Sequence, residues 1–306
     1  MIEIVRQIPG PLFLLLFAVL AAIGIYLARL WSDRDGSTDY PLPDPDRFDP
    51  LSIAALRGGR NAVIRTAVFS LWKRGIVDIK KVEVKESSRK GEDTEIVPLP
   101  SDQKPAGPIE REILQFLQPG FLNVPKRPED LFQETALGSK IEAELQPILR
   151  ELEEAHLAPT ETDVSRRWLA AVTVGTAIAV LGVTKIYLGM RGGHPWGVLL
   201  VMLGVSLAVL GGVVLGQRPT RLGRRYLKGL EGHFAWLKDS IQQGAFPMGI
   251  EAALPIAIFG IGALSSGALD ETFKEAFSKG AGNGGCGGGC GACGGGCGGC
   301  GCGGCG

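Results

Sequence analysis

Upstream of residue 286 this chain contains no cysteine; all seven thiols fall within its final stretch, GCGGGCGACGGGCGGCGCGGCG. That absence excludes a disulfide framework, a cysteine nucleophile and a thiolate zinc site from whatever folds upstream. Histidine is scarce as well. The three present, His156, His194 and His233, fall at a helix end, in a turn between apolar runs and in a basic segment, a scatter that does not converge on one metal. With 32 basic and 32 acidic side chains the net charge is zero, so nothing general draws the chain to nucleic acid or to a charged surface. The glycines of ALRGGR lack the GxxxxGK[ST] pattern of a phosphate loop. No local pattern forms a catalytic constellation. The tail, finally, has no charge and no large side chain, and a segment with nothing apolar to bury cannot offset its own ordering entropy. Disorder is therefore predicted over 281–306.

What is present is apolar sequence in long blocks. Residues 10–31, GPLFLLLFAVLAAIGIYLARLW, carry no charge before Arg29. Roughly 20 such residues cross a hydrocarbon core of about 30 Å. A cleaved signal peptide is the competing reading, but no small-x-small site precedes the charged WSDRDG. Trp31 suits the interface. Residues 168–190 and 195–216 form two further spans, joined by the tight turn RGGH, with Lys185 close enough to one end to snorkel. Gly175, Gly182, Gly204, Gly211 and Gly212 suit close helix packing in lipid. Arg166 and Arg167 precede the second span and RPTRLGRRYLK follows the third, whereas the turn carries only Arg191. The positive-inside rule then places residues 32–167 and 217–306 in the cytoplasm of a multi-pass inner-membrane protein, with residues 1–9 outside.

Between the first two spans, 32–49 reads as a Pro- and Asp-rich extended linker. In 50–167, LSIAAL forms a short helix stopped by RGG. Asn61 is placed to cap a second helix, whose Val63, Ile64, Ala67, Val68, Leu71 and Trp72 share a face up to Gly75. IVDI and VEV alternate as strand, and TEIVPL returns after a polar loop KESSRKGED. Helices follow at IEREILQFL, PEDLFQETAL and SKIEAELQPILRELEEAHL; Ile141, Leu145, Ile148, Leu149 and Leu152 share a face, and Pro147 kinks the last helix or starts another. Helix, helix, hairpin is the order of a winged helix, and the two halves read as a degenerate duplication. The predicted class is therefore mainly α and membrane-bound: three transmembrane helices, a cytoplasmic α+β winged-helix-like pair and a disordered Gly/Cys tail.

A winged helix raises the question of DNA. Only Asn61, Arg65, Lys73 and Arg74 stand as candidate contacts, and residues 32–167 hold 20 basic against 25 acidic side chains. Phosphate neutralisation supplies most affinity in such binding, so a structural or protein-interaction role, with the bilayer and an unidentified protein as partners, is favoured over nucleic acid. Residues 217–280 are juxtamembrane. Leu222, Tyr226, Leu230, Phe234, Leu237 and Ile241 form one arc and Arg221, Arg224, Arg225 and Lys228 another, a helix for a membrane surface or for packing on the domain. Residues 249–264 are apolar but shorter than a span, so a buried core or interfacial segment is favoured over a fourth crossing, which would invert the side of the tail.

The segments GPLFLLLF, DPLSIAALRGGRNAVIRTAVFSLWKRGIVDI, RPTRLGRRYLKGL and LPIAIFGIGAL, followed by the Gly/Cys tail, give the chain its order of elements. In that order it resembles an uncharacterised bacterial membrane-protein family with a GPxFL-type first span, a DPxExAxLxGG-type cytoplasmic segment and a C-terminal Gly/Cys-rich tail. The chain departs from that pattern at Ser52. The resemblance implies architecture and no activity.

The one concentration of reactive groups is Cys286, Cys290, Cys293, Cys297, Cys300, Cys302 and Cys305. Cys290 with Cys293, Cys297 with Cys300, and Cys302 with Cys305 are CxxC pairs, whose thiolates can share one tetrahedral Zn²⁺ or one copper(I). The same spacing arises whenever cysteine is this dense, and accessible thiols equally suit a substrate for modification. Outside the tail no cofactor is expected.

Overall fold

The computed structural model describes residues 10–32, 36–86, 89–101, 103–118, 126–191, 197–214, 219–242, 252–261 and 273–277. They form an apolar helix bundle and a mainly helical domain with one two-stranded sheet.

The bundle contains α1 (Gly10–Ser32), with α6 (Glu161–Arg191) and α7 (Gly197–Val214) later in the chain. On α1, Phe13, Phe17, Ala21 and Ala28 are buried while Leu12, Leu15, Ile23 and Leu27 are exposed. Spacings of four and seven place the buried set on one stripe that meets Ile178, Leu199 and Leu210 of the other helices. An apolar helix buried on a narrow stripe and bare elsewhere is dressed for lipid. Leu12–Trp31 and Glu161–Tyr187 are long and apolar enough to cross a membrane. Helix α7 is shorter, at 18 residues, and both ends of the predicted third span lie outside the described residues. Helix α6 starts seven residues before the expected Trp168, because Thr160 and Asp163 close its first turn: the Thr160 hydroxyl donates to Asp163 Oδ2 at 3.0 Å and Arg166 pairs with the same carboxylate at 3.0 Å. Lys185 Nζ lies 4.8 Å from the centre of the Phe13 ring.

Among the glycines expected to pack, the structure separates two kinds. A Cβ on Gly175 would stand 3.3 Å from Leu210, and one on Gly182 3.0 Å from Leu203, whereas Gly204, Gly211 and Gly212 have open space. The last three depart from the expectation, because a Cβ at any of them meets no neighbouring atom within 4 Å. Gly182→Ile is accordingly expected to cost about 1–3 kcal/mol through overpacking. Gly211→Ile should change little, as thermal melts of the two variants in detergent would report.

In the domain, the central helix is α2 (Pro50–Lys73). Its start is set locally: the Asp49 carboxylate accepts the Ser52 N–H at 3.0 Å, and Pro50 occupies the first turn. The predicted glycine stop is a kink, with Gly58 at φ −147° and Gly59 at φ 60°, ψ −152°, the second a conformation that only glycine adopts readily. Asn61 lies inside the helical run beyond it and does not cap, a correction that follows from Gly59 making the break two residues earlier. The helix ends as expected at Gly75, φ 68°; Gly75 N–H bonds to Trp72 O at 2.9 Å and Ile76 N–H to Leu71 O at 3.0 Å, the pairing of a Schellman stop. Val63, Ile64, Ala67, Val68 and Leu71 are fully buried as one face, but Thr66, Phe69 and Ser70 opposite are buried too. The second face is covered by segments from far along the chain.

Strands β1 (Val77–Glu86) and β2 (Arg89–Pro98) pair antiparallel with Ile79 opposite Ile96, both buried. The stretch expected as a polar loop, KESSRKGED, is mostly ladder: pairing runs on to Glu86 opposite Arg89. Backbone hydrogen bonds need no apolar side chains, so the ribbon outruns its hydrophobic pattern. Then come α3 (Pro108–Leu117), α4 (Asp130–Gln133) and α5 (Thr135–Glu154), which runs unbroken through Pro147, with no new helix begun there. Among the described residues the second half adds no hairpin, only a bridge between Ile96 and Lys126.

Among the described residues 219–242 form two helices, α8 (Arg221–His233) and α9 (Ala235–Gln242), broken at Phe234 where one was expected. Leu222, Tyr226, Leu230 and Leu237 are buried, so the apolar arc of α8 is spent on protein. Within 249–264, α10 (Leu254–Phe259) buries Ile256, Ala257 and Ile258 against α2, a core segment far too short to cross a bilayer. Arg57 donates from Nη1 to the Ile258 carbonyl, and Phe273, Ala276 and Phe277 of the helical segment 273–277 complete the core.

Candidate functional site

Two places on the molecule hold side chains in a way that the local sequence does not require. The first is the junction between bundle and domain, where three stretches of chain meet: 36–48 after α1, 155–160 before α6, and 219–233 after α7. Thr220 is its centre. Its hydroxyl accepts from Gly223 N–H at 3.0 Å as the cap of α8 and donates to the carbonyl of His156 at 2.7 Å or of Leu157 at 2.8 Å, while its own N–H donates to Leu157 O at 3.0 Å. Leu222 N–H reaches Ser37 Oγ at 3.0 Å. Tyr226 is buried edge-on against Phe48, 5.8 Å between ring centres, and its hydroxyl lies 3.3 Å from the carbonyls of Asp44 and of Pro45. His156 takes φ 57° in the turn after α5 and stacks on Tyr40 at 3.6 Å. The geometry needs a small residue at Gly223, because a Cβ there would collide with the Leu157 carbonyl oxygen.

Burial, helped by Asp46 and Asp44 and opposed by Arg47, pushes the Tyr226 hydroxyl up to about 12 from its ordinary 10.0. A phenol whose pKa is raised on folding contributes stability that is whole below pH 10 and is lost as pH rises through 12. The folded chain is expected to weaken over that window, and Tyr226→Phe should flatten the alkaline limb of a pH-dependent melt. At neutral pH the group is a neutral donor, which suits a fastener and not a reactive acid. Beside the junction, Glu153, Pro159, Glu161, Val164, Ser165 and Trp168 line a shallow open groove of about 380 Å³ at the start of α6.

The second place is an aromatic groove. Phe69 and Trp72 on α2 and Phe132 on α4 receive Phe273 and Phe277, which are fully buried and stack on each other at 4.5 Å. Phe273 meets Phe69 at 5.0 Å and Trp72 at 5.7 Å; Phe277 meets Phe132 at 6.1 Å. Cations rim the walls, Arg65 over Phe132 at 5.2 Å and Lys73 over Trp72 at 4.8 Å, and Lys81 Nζ pairs with Glu275 at 2.5 Å. Burial lowers the pKa of Arg65 and of Arg57 from the ordinary guanidinium value. Nothing in the sequence pointed to this groove, although the spacing of Phe273 and Phe277, four apart on a helical turn, was visible in it.

The residues singled out from sequence fall elsewhere. Cys286, Cys290, Cys293, Cys297, Cys300, Cys302 and Cys305 lie outside the described residues, as does His194. His156 and His233 are apart in the fold, one stacked on Tyr40 and the other edge-on to Phe234. Among the described residues no group of three or more His, Cys, Asp or Glu side chains is placed to hold a metal ion. Of the four candidate DNA contacts, Arg74 is tied to Glu110 at 2.9 Å and Lys73 and Arg65 lie over aromatic rings. Comparison with protein-family models, curated proteins and solved structures finds no match to this chain.

Proposed function

We propose that this protein is a membrane-anchored structural or protein-interaction module, in which three spans hold a cytoplasmic domain at the bilayer and the Gly/Cys-rich tail is appended to it. The observation that carries this reading is the junction at Thr220 and Tyr226. There the chain leaving α1, entering α6 and leaving α7 is hydrogen-bonded together on the domain side, so the three stretches that join domain and anchor are gathered at one place. A third crossing by α7 is supported by its packing along both α1 and α6. Arg29, Arg166, Arg167, Arg221, Arg224, Arg225 and Lys228 all belong to the ends adjoining the domain. By the positive-inside rule this favours a cytoplasmic domain in the inner membrane, as does the resemblance to the bacterial family. The run from helix through kink and helix to hairpin over 50–98 keeps the order of a winged helix. With the second segment of α2 buried on both faces and its cations engaged with aromatic rings and Glu110, a protein partner is favoured over nucleic acid.

Two experiments test the reading. A membrane-impermeant maleimide is expected to leave the tail thiols unmodified in intact cells and to label them after permeabilisation; labelling before permeabilisation reverses the orientation. Replacing all seven cysteines with serine is expected to leave the native-gel complexes and the growth of the host unchanged. Loss of either moves the function to the tail. The second reading, that the tail holds Zn²⁺ or copper(I) or is modified on its thiols, is supported by its three CxxC pairs. Native mass spectrometry of the reduced protein decides it, by stoichiometric metal uptake or by mass added in the host.

A further inference from the structure

We propose that the groove at the start of α6 is a headgroup site for a phospholipid with a primary ammonium, phosphatidylethanolamine being the type; this rests on the membrane-anchored reading, which puts that end of α6 at the bilayer surface. The volume of about 380 Å³ lies at the small end of ligand sites, about 300–1,000 Å³, room for a headgroup with its acyl chains left outside. Position decides the class of occupant. Trp168 opens the apolar run of α6, and beyond it Leu169, Val172, Val180, Leu181 and Val183 are exposed, as on a lipid-facing helix. Glu161, Val164, Ser165, Trp168 and Val172 recur at spacings of three and four, so the groove and the lipid-facing stripe are one continuous face. At 1.5 Å per residue, Glu161 lies about 10 Å from Trp168 along the axis, so the groove begins at the hydrocarbon edge and extends through the headgroup layer.

Charge decides the headgroup. This end of the bundle is otherwise rich in arginine, yet the groove is walled by two acids, Glu153 from the end of α5 and Glu161. Among the described residues neither carboxylate is held by an ion pair or a side-chain hydrogen bond. Asp163 gives the contrast. It accepts from the Thr160 hydroxyl and pairs with Arg166, each at 3.0 Å, and so also answers the positive end of the α6 dipole. Glu153 and Glu161 are left for a cation from outside. Trp168 supplies the third element, an indole 60% exposed whose face attracts an ammonium and whose apolar body, with Val164, meets the glycerol and first methylenes of a lipid. A helical side chain leans over the preceding turn, which carries this ring from the hydrocarbon edge toward Ser165. A primary ammonium has three N–H donors, enough for two carboxylates and the Ser165 hydroxyl. A quaternary ammonium has none, and an anionic headgroup meets only repulsion from the two acids. The arginines at this end, Arg29 and Arg225 among them, suit the phosphate of the same lipid.

The test is native mass spectrometry of the full-length protein in detergent, titrated with phosphatidylethanolamine, phosphatidylcholine or phosphatidylglycerol of the same acyl chains. Wild type should retain one phosphatidylethanolamine at least five-fold more tightly than either of the others; equal retention overturns the proposal, whatever the variants do. Glu153→Gln with Glu161→Gln should abolish the preference, and Trp168→Ala should weaken retention several-fold. Both proteins should melt with wild type, because none of the three side chains is buried. A glutamine variant that keeps the wild-type preference overturns the proposal too. Glycerophosphoethanolamine, the same headgroup without acyl chains, should not displace the lipid at equal concentration; if it does, the groove takes a soluble amine and the lipid assignment falls. Failure of the membrane-anchored reading is seen elsewhere, as release of the chain from host membranes by alkaline carbonate.

Discussion

Glu110→Ala should lower the stability of the domain by about 3–5 kcal/mol, the largest effect expected from any single change of a polar residue in this chain. Glu110 is buried at the start of α3, and one oxygen, Oε2, serves two donors: Arg74 Nη1 at 2.9 Å and the Ala106 N–H at 2.6 Å. Arg74, itself mostly buried, also donates from Nη2 to the Lys104 carbonyl, so the pair ties the end of α2 to the loop and helix that follow the hairpin. Truncating either partner leaves the other desolvated and unpaired, which costs far more than the net worth of the pair. For a domain of this size each kcal/mol moves the melting temperature by about 2–4 °C, so a fall of roughly 6–20 °C is expected by thermal circular dichroism. Arg74→Met with Glu110→Leu should recover much of the loss, because the double change removes the uncompensated charge, and the cycle measures the coupling. If Glu110→Ala melts within a degree of wild type, the pair does not hold the domain.

The second large effect is expected at the junction. Gly223→Ala introduces a Cβ where the Leu157 carbonyl oxygen already sits, and that neighbour is backbone fixed by Thr220, not a side chain that can swing away. Relief requires α8 to move off the 155–160 turn, which breaks the Thr220 bonds to His156 and Leu157. Overpacking of about 1–3 kcal/mol, with about 1 kcal/mol for each hydrogen bond lost, puts the total near 3 kcal/mol. Limited proteolysis should show new cleavage in 155–160 and in 219–223. Gly229→Ala on the same helix is the control: its Cβ would meet Leu42 at an ordinary 3.7 Å, and no change is expected.

Much of the fold was legible because much of it is locally determined. Length and apolarity alone identify Leu12–Trp31 and Glu161–Tyr187 as able to cross a bilayer. Glycine at positive φ marks the kink at Gly59 and the stop at Gly75, and the face of Ile141, Leu145 and Leu152 is visible from spacing by itself. The candidate sites were less legible. Of the aromatic groove, only the spacing of Phe273 and Phe277 could be seen. Their partner walls lie about 140 to 200 residues earlier in the chain, and a periodicity read in a short window says nothing about such partners. Expectation failed in the hairpin for the converse reason: backbone pairing continued where side-chain pattern had ended.

What the sequence by itself determined is what a span of some twenty residues can enforce: which segments are apolar enough for lipid, the stop at Gly75, and which face of most helices is greasy. What the tertiary structure decided is what each face meets. It turned the apolar arc of α8 onto protein, chose Gly175 and Gly182 over Gly211 as contact points, sank α10 and Phe273 against the back of α2, and matched Glu110 to Arg74. These outcomes depend on surfaces brought together from opposite ends of the chain, as when Arg57 reaches the Ile258 carbonyl or Leu222 the Ser37 hydroxyl. A greasy face lowers its free energy against any complementary surface, so only the shape of the assembled whole selects which one it takes.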